Sequence, residues 1–394
     1  MHIGHYAPHL WAPGGIAAYV RRLGTAQSAR GHTIVYLSQT GRPDAAHPET
    51  EIFDDDRDLF ERAASLNLDI LHVHKHVDLP DALPLPLVRT MHGHQASCPS
   101  GNRFLSRSGR PCNRVPGLSG CLWGHVVDRC GSIRPRQLAG GFARLRREVE
   151  FVRRVPTLTV SHFLRRRMIE AGCPESQMQV IPSPAPEVDR VVPMDPSNPP
   201  RFLFLGRLAP QKGILWLLRS FARLDEEAHL DVAGEGDLRS AAESFVRKNG
   251  LEDRVTFHGW VDRDQVTGLF RSARAVVFPS VWHEPAGLVS LEAAAHGRAL
   301  IASRVGGIPE YTSEEFATLV PPNDVSALTT AMASLSRDPD RAAQMGQAGR
   351  EGATIDFAMD RFVNRLDEVY DVTVQELDDS ILASHSTLSA SLLP

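Results

Sequence analysis

Two carboxylates dominate the segment HEPAGLVSLEAAAHG, which covers residues 283–297. Glu284 and Glu292 are separated by seven residues, and the strand pattern ARAVVFPS precedes them. We expect Glu284 in the loop after that strand and Glu292 more than a turn into the following helix. Paired carboxylate oxygens bind neighbouring sugar hydroxyls well. By itself the segment also fits a capped helix with two surface acids.

Two cations follow another predicted strand, in FLGRLAPQKG. Arg207 stands at the carboxyl end of the strand, and Lys212 lies near the start of the next helix. Two cations beside free helix N–H groups are suited to a diphosphate. The alternative is an ordinary pair of surface cations, but ligands of such folds bind at the carboxyl ends of strands.

A glycine pair lies in the first strand-to-helix turn, in WAPGGIAAYV. Gly14 and Gly15 permit close approach of an anion to the backbone, although a plain turn explains them too. Neither this turn nor GEGDLR, residues 234–239, has the G-x-G-x-x-G pattern. A nicotinamide cofactor is therefore not indicated.

His92 ends the strand pattern LVRTMH, and His94 follows two residues later. A histidine at a strand end is a candidate for site chemistry, although many are structural. A metal site on this pair lacks a matching acidic cluster. Cys98, Cys112, Cys121 and Cys130 are weak zinc candidates because no C-x-x-C pair occurs among them. We therefore expect no metal and no required cofactor.

Composition limits the class of protein. The chain has 394 residues, 42% of them hydrophobic, which suits two domains. Its net charge of −4 gives no general attraction to nucleic acid. Residues 101–170 nevertheless contain fifteen arginines and four acids. That block fits an anionic lipid surface or an anionic acceptor, or else solvated helix faces.

The first residues lack the pattern of a signal peptide, and no apolar run is long enough to span a membrane. We expect a cytoplasmic protein, with peripheral binding at the inner membrane face as a further option.

Strand and helix patterns alternate along the chain, which indicates an α/β fold with two doubly wound, Rossmann-like domains facing a cleft. We expect a first domain over 1–185, with an irregular, cysteine- and arginine-rich segment near 98–141. A proline-rich linker covers 186–200, and a second domain covers 201–355. A helix is expected over 356–376. The tail, 377–394, is expected to be disordered.

Several of these motifs together resemble glycosyltransferase family 4. In the second half they are GRLAPQKG, VAGEGDL, VTFHGWVDRDQV, FPSVWHEPAGLVSLEAAAHGRALIASRVGGIPE and LVPPND. In the first half the resemblance is looser, in PGGIAAYVRRL, RTMHGHQASCPSG and TVSHFLRRRMIEAG. The family contains retaining enzymes of the GT-B fold, and its E-x7-E motif falls on Glu284 and Glu292. Two departures are Ala286, where phenylalanine is usual, and IPSPAP, where many members have an Asn-Gly turn.

The resemblance implies that 1–185 is an acceptor-side domain, that 201–355 is a nucleotide-sugar-binding domain, and that the helix over 356–376 returns to the first domain. It also implies a role for each site residue. Arg207 and Lys212 would neutralise the diphosphate of a UDP- or GDP-sugar donor without a metal. Glu284 would hold the donor sugar, and Glu292 the ribose. His92 would lie beside the sugar. The remaining donor contacts would come from the backbone of Gly14, Gly15, Gly287, Leu288 and Val289.

The acceptor implied by the resemblance is a glycan, a lipid-linked molecule or a small molecule, in glycan, polysaccharide or glycolipid assembly. Two other functions stay open on the same fold. One is a GT-B enzyme of another class, such as a phosphorylase or an epimerase, and the other is a non-catalytic binding subunit.

Overall fold

A computed structural model describes residues 1–12, 14–40, 50–53, 55–188, 191, 193–194 and 199–390. Part of the predicted linker and the last four residues of the predicted tail lie outside this range. Where the structure describes it, the chain contains no helix that is both long and apolar enough to cross a membrane.

The first half contains nine strands and five α-helices among the described residues. The strands are β1 (His2–Tyr6), β2 (Thr33–Ser38), β3 (Thr50–Ile52), β4 (Ile70–Val73), β5 (Leu87–Met91), β6 (Phe104–Leu105), β7 (Arg110–Pro111), β8 (Thr157–Thr159) and β9 (Met178–Val180). The helices are α1 (Gly15–Ala29), α2 (Asp56–Ser65), α3 (Leu118–Val126), α4 (Pro135–Arg154) and α5 (His162–Ile169).

Seven of these strands form one parallel sheet in the order β3-β2-β1-β4-β5-β8-β9. Its central strands β1, β4 and β5 are buried almost throughout because helices cover both faces. Strand β1 pairs with both β2 and β4, and this register places His5 beside His72 in the middle of the sheet. Strands β6 and β7 form a separate antiparallel hairpin.

The second half repeats the architecture. Its strands are β10 (Arg201–Leu205), β11 (His229–Ala233), β12 (Val255–Gly259), β13 (Ala275–Phe278), β14 (Ala299–Ser303) and β15 (Ala317–Val320). Its helices are α6 (Ile214–Phe221), α7 (Arg239–Lys248), α8 (Arg263–Ser272), α9 (Leu288–Ala295), α10 (Val325–Arg337) and α11 (Pro339–Ile355), followed by α12 (Met359–Ala390). The parallel order is β12-β11-β10-β13-β14-β15. The strand order changes direction between β10 and β13, which opens a crevice beyond their carboxyl ends.

Helix α12 packs against the first half of the chain rather than the second. Phe362, Val363, Leu366 and Tyr370 are buried in one apolar cluster with residues of β1 and α1. The last helix therefore covers the first sheet.

Two expectations differ from the structure. Residues 98–141, predicted to be irregular, contain the β6–β7 hairpin, all of α3 and the start of α4. Helix α4 begins with a proline in its first turn, and the glycine, proline and arginine residues around its start indicated an irregular segment. The tail was predicted to be disordered, yet α12 continues to Ala390. The reason is that no glycine or proline interrupts 359–390.

Candidate active site

Lys212 and Glu284 form an ion pair at the carboxyl edge of the second sheet. Lys212 ends a 3-10 turn after β10, and Glu284 lies in the loop between β13 and α9. Lys212 Nζ is 2.6 Å from Glu284 Oε1, and the hydroxyl of Ser280 is 2.8 Å from the same oxygen. The carboxylate is buried, whereas the lysine side chain keeps 22% of its surface exposed. The ammonium group can therefore meet a ligand while it stays paired.

Two glycines allow these loops to come together. Gly213 has φ 72°, and a β-carbon there would overlap the carbonyl oxygen of Pro279. Gly306 has φ 63°, and a β-carbon there would strike the backbone of Glu284. Both positions need the left-handed conformation that glycine adopts at low cost. They set the distance between the loops that carry Lys212 and Glu284.

Glu292 lies on α9, the helix that follows the loop with Glu284. Burial raises the pKa of its carboxyl group to about 7, and the nearby charges of Arg22 and Lys212 act in the opposite direction. Arg22 belongs to α1 of the first half. The carboxyl group thus lies where both halves of the chain meet, and it is ready to exchange a proton for a hydrogen-bonded or charged ligand.

The other predicted donor contacts surround this centre. Arg207 is exposed, and in the described part of the chain its guanidinium makes no hydrogen bond or ion pair. Gly14 and Gly15 face open space, with nothing within 4 Å of a β-carbon at either position. Gly287 caps α9, which starts with Leu288 and Val289. The first N–H groups of a helix have no acceptor within it, so they are available to an anion.

The loop that carries Glu284 is held by the first half of the chain. His94 Nε2 is 2.7 Å from the carbonyl oxygen of His283, and His283 Nε2 is 2.7 Å from Asn113 Oδ1. Ser161 caps α5 and also donates its hydroxyl to the carbonyl of Pro285. Across the same boundary, Glu310 accepts hydrogen bonds from the N–H groups at the start of α5. These contacts fix Glu284 relative to the first sheet.

His92 is half-buried and belongs to a chain of hydrogen-bonded histidines. His92 Nε2 is 3.3 Å from His74 Nδ1, and His74 Nε2 is 3.2 Å from His5 Nδ1. His5 Nε2 is 2.7 Å from the amide oxygen of Gln27. Burial lowers the pKa of His92 to about 3 and that of His5 to about 4, and it holds the pKa of His74 well below 6.5. All three rings are therefore neutral at pH 7.

The ring nitrogen that carries the proton in each histidine follows from Gln27, the acceptor at the end of this chain of hydrogen bonds. Because the oxygen of Gln27 only accepts, His5 carries its proton on Nε2 and accepts at Nδ1 from His74. His74 in turn accepts at Nδ1 from His92 Nε2. This arrangement leaves Nδ1 of His92 as an acceptor, directly after the carboxyl end of β5.

His72 continues the cluster on the other side. Its Nδ1 is 2.6 Å from the hydroxyl of Tyr370, and its Nε2 is 2.7 Å from Thr90 Oγ1. One ring nitrogen from each of His5, His72 and His74 lies within 4.8 Å of the others, a spacing near that of a metal site. A metal ion bound there would take up ring nitrogens that all make hydrogen bonds in this structure. The cluster is therefore best described as a hydrogen-bonded network.

His92 and His94 do not form the metal pair considered from the sequence, because His92 bonds to His74 and His94 bonds to the Glu284 loop. The cysteines Cys98, Cys112, Cys121 and Cys130 are free thiols. Burial and the other three cysteines raise the pKa of Cys130 to about 12, so the structure brings the four into one neighbourhood. None of them belongs to a metal-spaced group within the residues described.

Several functional residues were not singled out from the sequence. Ser280, Arg22 and Glu310 occupy ordinary positions in their segments, and only tertiary contacts reveal them. The histidines at 5, 72 and 74 carried one usable signal: each occurs in a predicted strand of the first half, where apolar residues are usual.

Family models match nearly the whole chain. The model for glycosyl transferases group 1 matches residues 187–352, and the model for glycosyltransferase family 4 matches residues 13–189. The two matches meet at the segment that connects the two sheets.

Curated relatives match part of their own length. A GDP-mannose-dependent alpha-(1-6)-phosphatidylinositol monomannoside mannosyltransferase of Mycolicibacterium smegmatis is 30% identical over 216 residues, which cover 49% of this chain and 56% of the relative. A glycogen synthase of Mycobacterium tuberculosis is 32% identical over 179 residues, 44% of this chain and 43% of the relative. The chain thus matches about half the length of these relatives.

Solved structures resemble the chain over almost its full length. Sucrose-phosphate synthase from Thermosynechococcus elongatus has a TM-score of 0.69 at 22% identity and covers 96% of this chain and 99% of its own. Anabaena HepE in complex with UDP has a TM-score of 0.70 at 17% identity and covers 94% of this chain and 100% of its own. These likenesses establish the fold, and the family models establish the relationship. The chain belongs to the family 4 glycosyltransferases and has the GT-B fold.

Proposed function

We propose that the protein transfers a sugar, with retention of anomeric configuration, from a nucleotide diphosphate sugar to an acceptor in glycan, polysaccharide or glycolipid assembly. One observation carries the proposal: the partly exposed ammonium of Lys212 lies 2.6 Å from the buried carboxylate of Glu284. A cation and an acid so close together suit a ligand that has a diphosphate next to a sugar.

The charges of the site support transfer without a metal. Sugar transfer leaves negative charge on the departing diphosphate, and fixed cations at that position lower the barrier. Lys212 and the unpaired guanidinium of Arg207 would supply those cations, with the N–H groups at the start of α9 and the backbone of Gly15 beside them. Glu284 would hold the sugar hydroxyls, and Glu292 the ribose. His92 would offer Nδ1 to the sugar.

The donor is proposed to be a UDP- or GDP-sugar. HepE has been solved with UDP and with UDP-glucose, and the mycobacterial relative is GDP-mannose-dependent. The acceptor is proposed to be a glycan, a lipid-linked molecule or a small molecule. We also propose that the protein acts in the cytoplasm, at or near the inner membrane face, because the fifteen arginines against four acids in residues 101–170 would be attracted to anionic lipid.

A donor panel tests the proposal. Purified protein is titrated with UDP-, GDP- and ADP-sugars, and slow hydrolysis of each donor is followed in the absence of acceptor. One nucleotide class should bind and be hydrolysed with the α-configuration kept, without added metal and in the presence of a chelator. Absence of binding by every donor would reject the function. A requirement for free phosphate as co-substrate would indicate a phosphorylase instead.

A further inference from the structure

Exposed apolar side chains are concentrated in one short stretch of the first half. Of the eleven large apolar side chains that are exposed among the described residues, six lie between residues 115 and 133. They are Val115, Leu118, Leu122, Trp123, Val126 and Ile133. Scattered exposed apolar residues are normal, but a contiguous group marks a surface that binds something.

Helix α3 supplies the centre of this group. Leu118, Leu122 and Val126 recur every four residues, and Trp123 adjoins them, so they share one face of the helix. Leu118, Trp123 and Val126 have 67%, 61% and 64% of their surfaces exposed. Gly124 on the opposite face is buried, and His125 at the edge of the apolar face is buried too. An ordinary surface helix buries its apolar face, whereas α3 exposes its apolar face to solvent.

The inner side of the same segment is firmly attached. Phe104 of the β6–β7 hairpin is buried within the apolar core of the second half. Asn102 accepts a hydrogen bond from the indole of Trp282, and Asn113 bonds to His283. Trp282 and His283 precede Glu284 in its loop. The outward apolar face therefore belongs to a segment whose other side contacts the active-site loop.

The charged residues around α3 indicate what kind of partner would bind its apolar face. Residues 101–140 contain seven arginines and one acid, whereas the whole chain has a net charge of −4. Five of these arginines are exposed: Arg107, Arg110, Arg129, Arg134 and Arg136. Two copies of this surface in a symmetric dimer would bring like charges together, which opposes self-association. An apolar helix face with tryptophan and flanking arginines suits a bilayer interface with anionic headgroups.

We propose that α3 lies in the headgroup region of an anionic membrane, with Leu118, Leu122, Trp123 and Val126 inserted and the exposed arginines against lipid phosphates. This binding places the active-site loop close to the membrane surface, where a lipid-linked acceptor would be met. The proposal does not depend on sugar transfer, because membrane binding is measured without donor.

Vesicle sedimentation of the full chain tests the surface. The probes are vesicles of phosphatidylcholine alone and vesicles in which one lipid in four is phosphatidylglycerol. The protein should sediment with the anionic vesicles and stay in solution with the neutral ones. Replacing Leu122→Ser together with Trp123→Ser should weaken binding about tenfold. Arg134→Gln with Arg136→Gln should weaken it about fivefold per arginine and reduce its salt dependence.

Matched control variants separate the effect of the α3 surface from the general effect of losing a tryptophan or two cations elsewhere. Trp260→Ser removes a tryptophan that is 72% exposed on the second half, and it should leave vesicle binding unchanged. Arg247→Gln with Lys248→Gln removes two exposed cations at the end of α7, with the same expectation. Unfolding midpoints and donor binding in lipid-free buffer should match wild type in all variants.

Three results would overturn the proposal. The first is equal binding to neutral and anionic vesicles, or no binding to either. The second is wild-type binding by the Leu122→Ser, Trp123→Ser variant. The third is a concentration-dependent dimer that this variant abolishes, because a second copy would then cover the surface.

Discussion

His74 Nδ1 lies 3.3 Å from His92 Nε2, and this contact connects the edge of the cleft to the buried centre of the first sheet. From His74 the network reaches His5 and Gln27, and Gln27 contacts the hydroxyl of Tyr370 on α12. The last helix of the chain thus helps to hold the ring of His92. Four predictions follow from the site and this network.

Tyr370→Phe tests the network. The change removes the hydroxyl that bonds to His72 Nδ1 at 2.6 Å and leaves a buried ring nitrogen without a partner. We expect the free energy of unfolding to fall by about 1–3 kcal/mol. Chemical denaturation at pH 7 measures it. Val372→Ala, an exposed position on the same helix, is the control and should change stability little. A Tyr370→Phe protein as stable as wild type would show that the bond contributes nothing.

Lys212→Ala and Glu284→Gln test the central ion pair. Each change should reduce kcat/KM for the donor about 100-fold or more, because each removes a charge proposed to act on the reacting donor. Lys212→Ala should also destabilise the fold by about 2 kcal/mol, because it leaves the buried carboxylate without its cation.

The double variant distinguishes the two effects. Lys212→Ala with Glu284→Gln should recover part of the lost stability but none of the activity, as a double-mutant cycle would record. Lys248→Ala, a change to an exposed lysine on α7, is the matched control for loss of a cation. Wild-type transfer rates in either single variant would contradict the assigned roles.

Glu292→Gln should change stability and donor affinity in opposite directions. The pKa of Glu292 is raised to about 7, so the folded state opposes its ionisation. The free-energy cost of ionising Glu292 in the folded state is absent below pH 4.5, grows between pH 4.5 and 7, and is complete above pH 7. The amide should therefore stabilise the protein at pH 8 and have little effect at pH 4.5. Nucleotide affinity should fall at pH 8, as measured by calorimetric titration. A variant that loses stability at pH 8 would contradict this account.

Acid should destabilise the protein through its buried histidines. Burial lowers the pKa of His5 and His94 to about 4, and that of His92 and His283 to about 3. The unfolded chain takes up protons near pH 6.5, before the folded one does. The stability that these neutral, buried histidines give the fold is thus complete above pH 6.5, and it is lost as the pH falls toward 4. At pH 5.5 the loss should be about 1 kcal/mol for each histidine.

Denaturation midpoints measured between pH 7.5 and 5 check this dependence of stability on pH, the acid slope. His2→Gln serves as the control, because the hydrogen bond of this histidine to the carbonyl of Asn67 is exposed to solvent. The variant should keep the full acid slope, whereas His94→Gln should make the slope shallower. A midpoint that is constant from pH 7.5 to 5 would contradict the buried neutral network.

Local patterns determined much of this protein from the sequence alone. The alternation of strands and helices predicted two parallel sheets, because period and turn residues act over a few neighbours. The same alternation placed Arg207, Lys212 and Glu284 after strand ends, where ligands of such sheets bind. Ser161 caps α5, as a serine directly before a helical pattern favours. The motifs predicted the family, which the family models confirm.

Other features depend on contacts between distant segments, and only the tertiary structure decided them. The Lys212–Glu284 pair joins loops that are 72 residues apart. The histidine network joins two strands of the first sheet to α12, and His72 and Tyr370 are 298 positions apart in the sequence. The outward apolar face of α3 appears only once the buried side of that helix is known. Sequence spacing shows which residues share a strand or helix, but burial and partnership between such elements arise when they pack.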